Sequence, residues 1–494
     1  MLSRDGTESL TAKLYRLLHS QPAATDDDLR RALYGAGVAD NHQPYRSLKT
    51  RLRHILVQAI SADLDIPPRY TTYDLAYQNG FRQLNLARVL MHAGAITAAR
   101  DIAASTYQAI KKYEIIILNE GLTDVLAALY LSILYNDKLL RQYNEEHQYY
   151  ARATYDVNRV KFAFRTVRNL QNTNRLPPLE LGSTALRYVE ELSEIRDRYP
   201  RVSQVQVTIA TLEIMGYNFR GDHHQVMTAA QRARDALANC AGASTNSMSV
   251  MALTSVEATV RMRNFALGKQ QITAARAVVP TRGINSIKLS EYAIRLGLIT
   301  GQYQYAYASL AEVDFDSLRQ HLLDIHRERW QLLEAYVHLL VQAGRVGVEP
   351  ERPLRPFRLA RLLNNVPTYS RQKRGANIEL LILQASFFIV RREYDRVQDR
   401  IEALERYCNR YLRSEETLRN NGFLRLLLVA AAVNFNRAAA ERRAAPILQR
   451  MREHLEKPRT GLAPEEYIPY EELWSVLLDH LTNRKYAARR KKSQ

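Results

Sequence analysis

The sequence predicts an all-α protein, on three observations. Apolar residues recur at helical spacing along most of the chain, and strict alternation over strand length is rare. The helical stretches fall into pairs separated by short breaks. Glycine and proline number only 19 and 16 in 494 residues, too few for the many tight turns of an all-β chain. At roughly 150 residues per domain, this length allows about three globular domains or one long repeat array.

Residues 1–63 read as a separate N-terminal module of three helices, over 10–18, 27–34 and 45–62. Asp26, Asp27 and Asp28 precede Leu29 as an N-terminal cap run, because carboxylates favour the positive end of a helix. On the third helix Leu48, Leu52, Ile55, Leu56, Ala59 and Ile60 share one face. Arg46, Thr50 and Arg53 lie opposite, with Lys49 on the flank. Pro67 and Pro68 mark the boundary with a helical array over 75–455.

Within that array the spacing predicts 81–93 with 97–112 around Gly94, and 205–217 with 225–239 around Gly221. It predicts 247–267 with 271–278 around Gly268, and 286–299 with 303–311 around Gly301. Two further pairs are 377–392 with 396–411, and 421–437 with 446–455, where Pro446 falls in a first turn. Gly221, Gly268 and Gly301 are 47 and 33 residues apart, which brackets the period of helical-hairpin repeats. A long helix over 139–170 exceeds one such unit. Leu380, Leu383, Phe387 and Val390 form one apolar helix face. Residues 469–482 form an amphipathic helix whose Trp474 covers the last repeat, and 483–494 form a basic disordered tail.

Leu86, Ala87, Gly94 and Ala99 follow the order and spacing of a tetratricopeptide-like hairpin: Leu and a small residue, a turn Gly, then Ala on the second helix. Gly301, Ala306 and Leu310 match the second half of that pattern, and Gly221, Ala230 and Ala233 follow it more loosely. The signature Trp and terminal Pro are mostly missing. Over 75–455 the chain resembles degenerate tetratricopeptide-like repeat proteins, and its layout is similar to that of uncharacterised bacterial repeat proteins. The resemblance implies a right-handed α-solenoid with a concave face for a peptide or protein.

Several chemistries have no sequence support. There is no phosphate-binding Gly-rich loop, no nucleophile elbow and no kinase signature. Two cysteines, Cys240 and Cys408, preclude a disulfide scaffold, and both read as buried apolar residues. Asp222, His223 and His224 read as a polar helix start. His321 and His326 are five apart, about 140° around a helix, and miss the i, i+4 face of a zinc motif. Glu145, Glu146 and His147 diverge around their helix in the same way. No catalytic residue, metal ligand or cofactor is expected. The most apolar run, Leu426 to Val433, is far short of a membrane span, so a cytoplasmic protein without membrane contact is expected.

Lys and Arg total 70 against 51 Asp and Glu, a net charge of +19. Two acid-free stretches hold much of the excess, seven cations from Arg352 to Arg374 and six from Arg484 to Lys492. Tyrosine is abundant, 29 against 11 Phe, with Tyr143 and Tyr150 on one face of the long helix and Tyr303 and Tyr307 on another. Tyrosine joins an apolar body to a polar tip and suits grooves and interfaces. The expected function is a non-enzymatic scaffold for an acidic protein or peptide, with Arg355, Arg358, Arg361, Tyr303 and Tyr307 as partner-binding residues. The alternative is a nucleic-acid-binding regulator whose repeats sense a ligand or partner and which contacts DNA through Arg46, Lys49 and Arg53, in the manner of a third helix entering a major groove.

Overall fold

The computed structural model describes residues 9–20, 25–35, 37–38, 42–62, 72–131, 133–316, 324–360, 362, 376–401, 418–456 and 466–483. Every regular element among them is helical, and the protein is all-α. The chain divides into two compact units, Met1–Tyr70 and Thr71–Gln494. Arg361, Cys408, His321 and the tail from Arg484 lie outside the described residues.

The first unit holds α1 (Leu10–Ser20), α2 (Asp26–Tyr34) and α3 (Gln43–Ala62). Leu14, Leu29, Tyr45, Leu48 and Leu52 form its core. All three acids ahead of Leu29 work structurally. Asp28 closes a capping box with Thr25. Asp27 pairs with Arg30 and Arg31, and Asp26 takes Lys49 at 2.5 Å and the Tyr45 hydroxyl at 3.0 Å.

The second unit opens with α4 (Thr72–His92), α5 (Ile96–Ile110), α6 (Ile116–Leu131) and the 36-residue α7 (Asp137–Asn172). Next come α8 (Pro178–Glu191), α9 (Ser193–Arg198), α10 (Ser203–Arg220), α11 (His223–Ala238), α12 (Thr245–Arg261) and α13 (Phe265–Arg276). They are followed by α14 (Ile284–Ile299), α15 (Tyr303–Ala311), α16 (Asp324–Gln342), α17 (Ala376–Val390) and α18 (Tyr394–Gln398). The last are α19 (Leu418–Ala432), α20 (Arg437–Glu456) and α21 (Tyr470–Leu478). Helices pack mainly on their chain neighbours: α4 on α5, α6 on α7, α10 on α11, α12 on α13, α14 on α15 and α19 on α20. First helices also touch the next first helix, as α12 touches α14. The cores accordingly run in chain order, over 84–215, 210–258, 252–296 and 287–481.

Gly94, Gly221 and Gly301 end their helices with φ of 76°, 74° and 72°, a left-handed turn that glycine adopts without a Cβ clash. Gly268 departs from its expected role as a break. It lies inside α13, where a Cβ would sit 2.6 Å from Leu296 Cδ2, so it lets α13 approach α14 closely. The turn there belongs to Arg263, at φ 53°. With Gly344, Arg392 and Asn434 in equivalent turns, left-handed residues recur from Gly221 onward every 38–48 residues. Pro446 also departs from expectation: it sits mid-helix in α20 at an exposed position, where water can satisfy the freed carbonyl. Nor is α17 amphipathic; its four-residue apolar face is buried, and so are Ile378, Ile382, Phe388 and Ile389 around it.

The C-terminal helix does more than cover the last pair. α21 packs against α17, α19 and α20, with Leu473, Trp474 and Leu477 fully buried. The residues after it cross three turns. His480 Nε2 lies 3.4 Å from the Ala343 carbonyl, and Tyr394 donates to the His480 carbonyl at 2.5 Å. Asp479 takes Arg345 and, at 3.0 Å, Arg437. Thr482 donates its N–H to the Phe435 carbonyl at 2.9 Å, and its own carbonyl accepts from Arg437 N–H at 2.8 Å.

Candidate functional site

The residues singled out near Arg352–Arg361 surround a non-helical stretch after α16. Tyr307 is 1% exposed; its hydroxyl donates to the Arg352 carbonyl at 3.1 Å and accepts from Glu349 N–H at 3.3 Å. That ring pins the stretch to α15 and is sealed from any partner, a correction to its expected role. Tyr303 is half-buried, and burial first, then Glu472, push its hydroxyl up to about 12. Arg355 forks onto Glu334 and lies over the Phe315 ring at 3.9 Å, so its guanidinium is already engaged. Arg352 shares Glu312 with Arg276, at 3.5 and 3.2 Å. Arg358 is exposed and has no ion pair among the described residues.

In the N-terminal unit Arg46 and Arg53 are exposed on one face of α3. Lys49, between them, is held by Asp26 and lies over the Tyr45 ring at 5.1 Å. Of the three cations expected to contact DNA, one is thus neutralised within its own unit.

A concavity lies elsewhere, between α10 and α11. It is a groove of about 770 Å³ floored by Ala210, Ala229, Ala233 and Ala236. Small side chains there keep the floor low. Arg196, Arg201 and Arg232 rim it, with Asp197 and Glu213 as its acids. Glu213 is buried and pairs with Arg232, and Arg196 lies 3.8 Å from Asp197. Arg201 is exposed and has no ion pair among the described residues. Gln206 is fixed below by donating to the Arg196 and Tyr199 carbonyls at 3.0 and 3.1 Å. A smaller groove of about 280 Å³ recurs at α14 and α15, beside Arg276 and Glu312. Sequence reading missed this groove because its cations come from two separate stretches, 196–201 and Arg232 on α11. Asp222, close by in sequence, caps α11 by accepting from Gln225 N–H at 3.1 Å.

A buried polar network occupies the last third of the chain. Glu379 on α17 is buried and accepts from Tyr336 at 2.5 Å and Tyr470 at 3.2 Å. Burial pushes its carboxyl up to about 7; the two tyrosines pull it down, and Glu466 raises it further. Tyr467 stacks on Tyr336 with ring centres 5.1 Å apart. Arg419 on α19 holds Glu466 and Glu471 and donates to the Met451 carbonyl at 2.8 Å. Perturbed carboxylates of this kind mark functional sites when they line a cleft. Glu379 meets tyrosines on both oxygens and serves to lock α21 against α16 and α17.

No protein-family model, curated protein or solved structure matches the chain. No helix among the described residues is long and apolar enough to cross a membrane.

Proposed function

We propose that this protein is a non-enzymatic binding scaffold that recognises an acidic protein or peptide segment. In this reading the helical pairs form a right-handed α-solenoid of the tetratricopeptide-like kind. Chain-ordered cores and near-neighbour packing support a quasi-one-dimensional array. The 38–48-residue recurrence of turns favours hairpins longer than the tetratricopeptide unit of about 34 residues.

The observation that carries the reading is the alanine-floored, arginine-rimmed groove between α10 and α11. Its floor accepts apolar side chains, and Arg196 and Arg201 select carboxylates at the rim. The exposed Arg358 adds to the same charge preference on another surface. The contrasting reading, duplex DNA on α3, rests on Arg46 and Arg53 alone once Lys49 is tied to Asp26.

A fluorescein-labelled twelve-residue peptide of alternating Glu and Leu tests the groove by anisotropy. Ala236 is half-buried in the lining, so Ala236→Trp fills the groove from its edge. Arg201→Glu reverses a rim charge. Each is expected to weaken peptide binding at least tenfold. Unchanged binding in both variants would falsify the proposal.

A further inference from the structure

The long helix α7 hides one side and displays the other. Tyr143, Tyr150, Val157, Val160, Ala163 and Val167 are buried. On the opposite side Tyr155 and Phe162 are each 67% exposed. Seven residues separate them, so they stand on one face about 10 Å apart along the axis.

Arginines frame these rings. At 100° per residue, Arg152 and Arg159 fall within about 60° of Tyr155, and Arg159 and Arg165 within about 60° of Phe162. From Arg152 to Arg175 there are six cations and one acid, Asp156. Asp156 is buried and already holds Arg198 and Tyr199, both at 3.0 Å. Its other oxygen is 3.8 Å from Arg159. Arg152 and Arg165 have no carboxylate partner among the described residues.

The pattern between the rings decides what fits. A docking helix needs a continuous apolar seam at i, i+3 or i+4, and i+7. Here the positions between Tyr155 and Phe162 on the exposed side are Asn158 and Arg159, so the seam is broken. Two isolated flat rings, separated by guanidinium groups, match a ligand that alternates flat rings with anions. The net charge of +19 favours a polyanion in the same direction.

We propose that the exposed face of α7 is a platform for single-stranded nucleic acid. Tyr155 and Phe162 each stack on a base, and Arg152, Arg159 and Arg165 take phosphates. The site is separate from the α10–α11 groove and does not depend on it.

The test uses the full chain and a fluorescein-labelled oligothymidylate of twelve nucleotides, titrated at several salt concentrations. Tyr155→Ala/Phe162→Ala removes only exposed rings, and circular dichroism checks that the helices persist. This variant is expected to bind at least tenfold more weakly, with an unchanged salt slope because the rings carry no charge. Arg152→Gln/Arg165→Gln is expected to reduce the slope of log K against log salt by about 1.4, at about 0.7 per phosphate contact on a single strand. A wild-type chain that does not bind the oligonucleotide overturns the proposal. So does a ring-free variant that binds as tightly as wild type, since binding then comes from other cations. A twelve-residue polyglutamate peptide that binds as tightly and loses affinity in the same ring variant also overturns it, in favour of a protein partner.

Discussion

Replacing Glu379 by Gln tests the buried network most directly. In the folded chain this carboxyl stays neutral up to about pH 7, because burial outweighs the two tyrosine hydrogen bonds. In the unfolded chain it ionises near its ordinary value of 4.5. Between those limits the unfolded state gives up the proton and the folded state keeps it. Stability therefore falls as pH rises from 4.5 to 7, by about 1.4 kcal/mol per unit, and the loss levels off above 7 at about 3 kcal/mol. Below 4.5 the penalty is absent. Glutamine matches the shape and stays neutral, and its carbonyl still accepts from one tyrosine while its amide donates to the other. Glu379→Gln should thus gain on the wild type by about 3 kcal/mol between pH 4.5 and pH 8. Urea unfolding followed by tryptophan fluorescence reads the right region, since both tryptophans, Trp330 and Trp474, are buried in the surrounding core. Tyr336→Phe is the companion variant: losing one donor holds the carboxyl neutral to still higher pH and extends the fall beyond 7. Parallel wild-type and Glu379→Gln stability curves from pH 4.5 to pH 8 would refute the reasoning.

Three further substitutions probe other parts of the structure. Arg419→Ala leaves Glu466 buried without its cation and should cost about 3–5 kcal/mol, read as an earlier urea midpoint for the same fluorescence change. Gly268→Ala forces a methyl into Leu296 and should cost about 1–3 kcal/mol, whereas Gly347→Ala meets only Gln304 Oε1 at 3.7 Å and should be near neutral by the same assay. Thr25→Ala removes the capping box of α2 and should destabilise the N-terminal unit by about 1 kcal/mol, measurable as faster amide exchange in α2.

The sequence made the helices legible, and three of their breaks, because Gly94, Gly221 and Gly301 occupy backbone conformations that favour glycine. The turns at Arg263, Arg392 and Asn434 left no such mark, since ordinary side chains adopt the left-handed conformation there. Gly268 misled for the complementary reason: its smallness serves helix packing rather than turning. The partners of Glu379 lie 43 and 91 residues away, beyond any spacing rule along one helix. The α7 face does not show as a run of charge in the sequence. Acid-free runs single out Arg352–Arg374, while Asp156 interrupts the cations of α7 in sequence and turns inward in space. Sorting by helix face instead of by run would have revealed it.

The strap after α21 also sets a timetable for synthesis. Its contacts reach back 134 residues from Asp479 to Arg345 and 137 from His480 to Ala343. While the ribosome is still translating the segment between them, α16 and α17 are already made but lack the tyrosine and tryptophan side chains that complete their core. The earlier cores draw on residues up to Ile299 and Tyr305, so they can close as they emerge, well before α21 is made. A chain stalled or clipped before α21 would leave a finished front half joined to an apolar, unclosed rear. Such a chain is the form that chaperones would hold and proteases would remove, so α21 decides when the rear of the array stops being open.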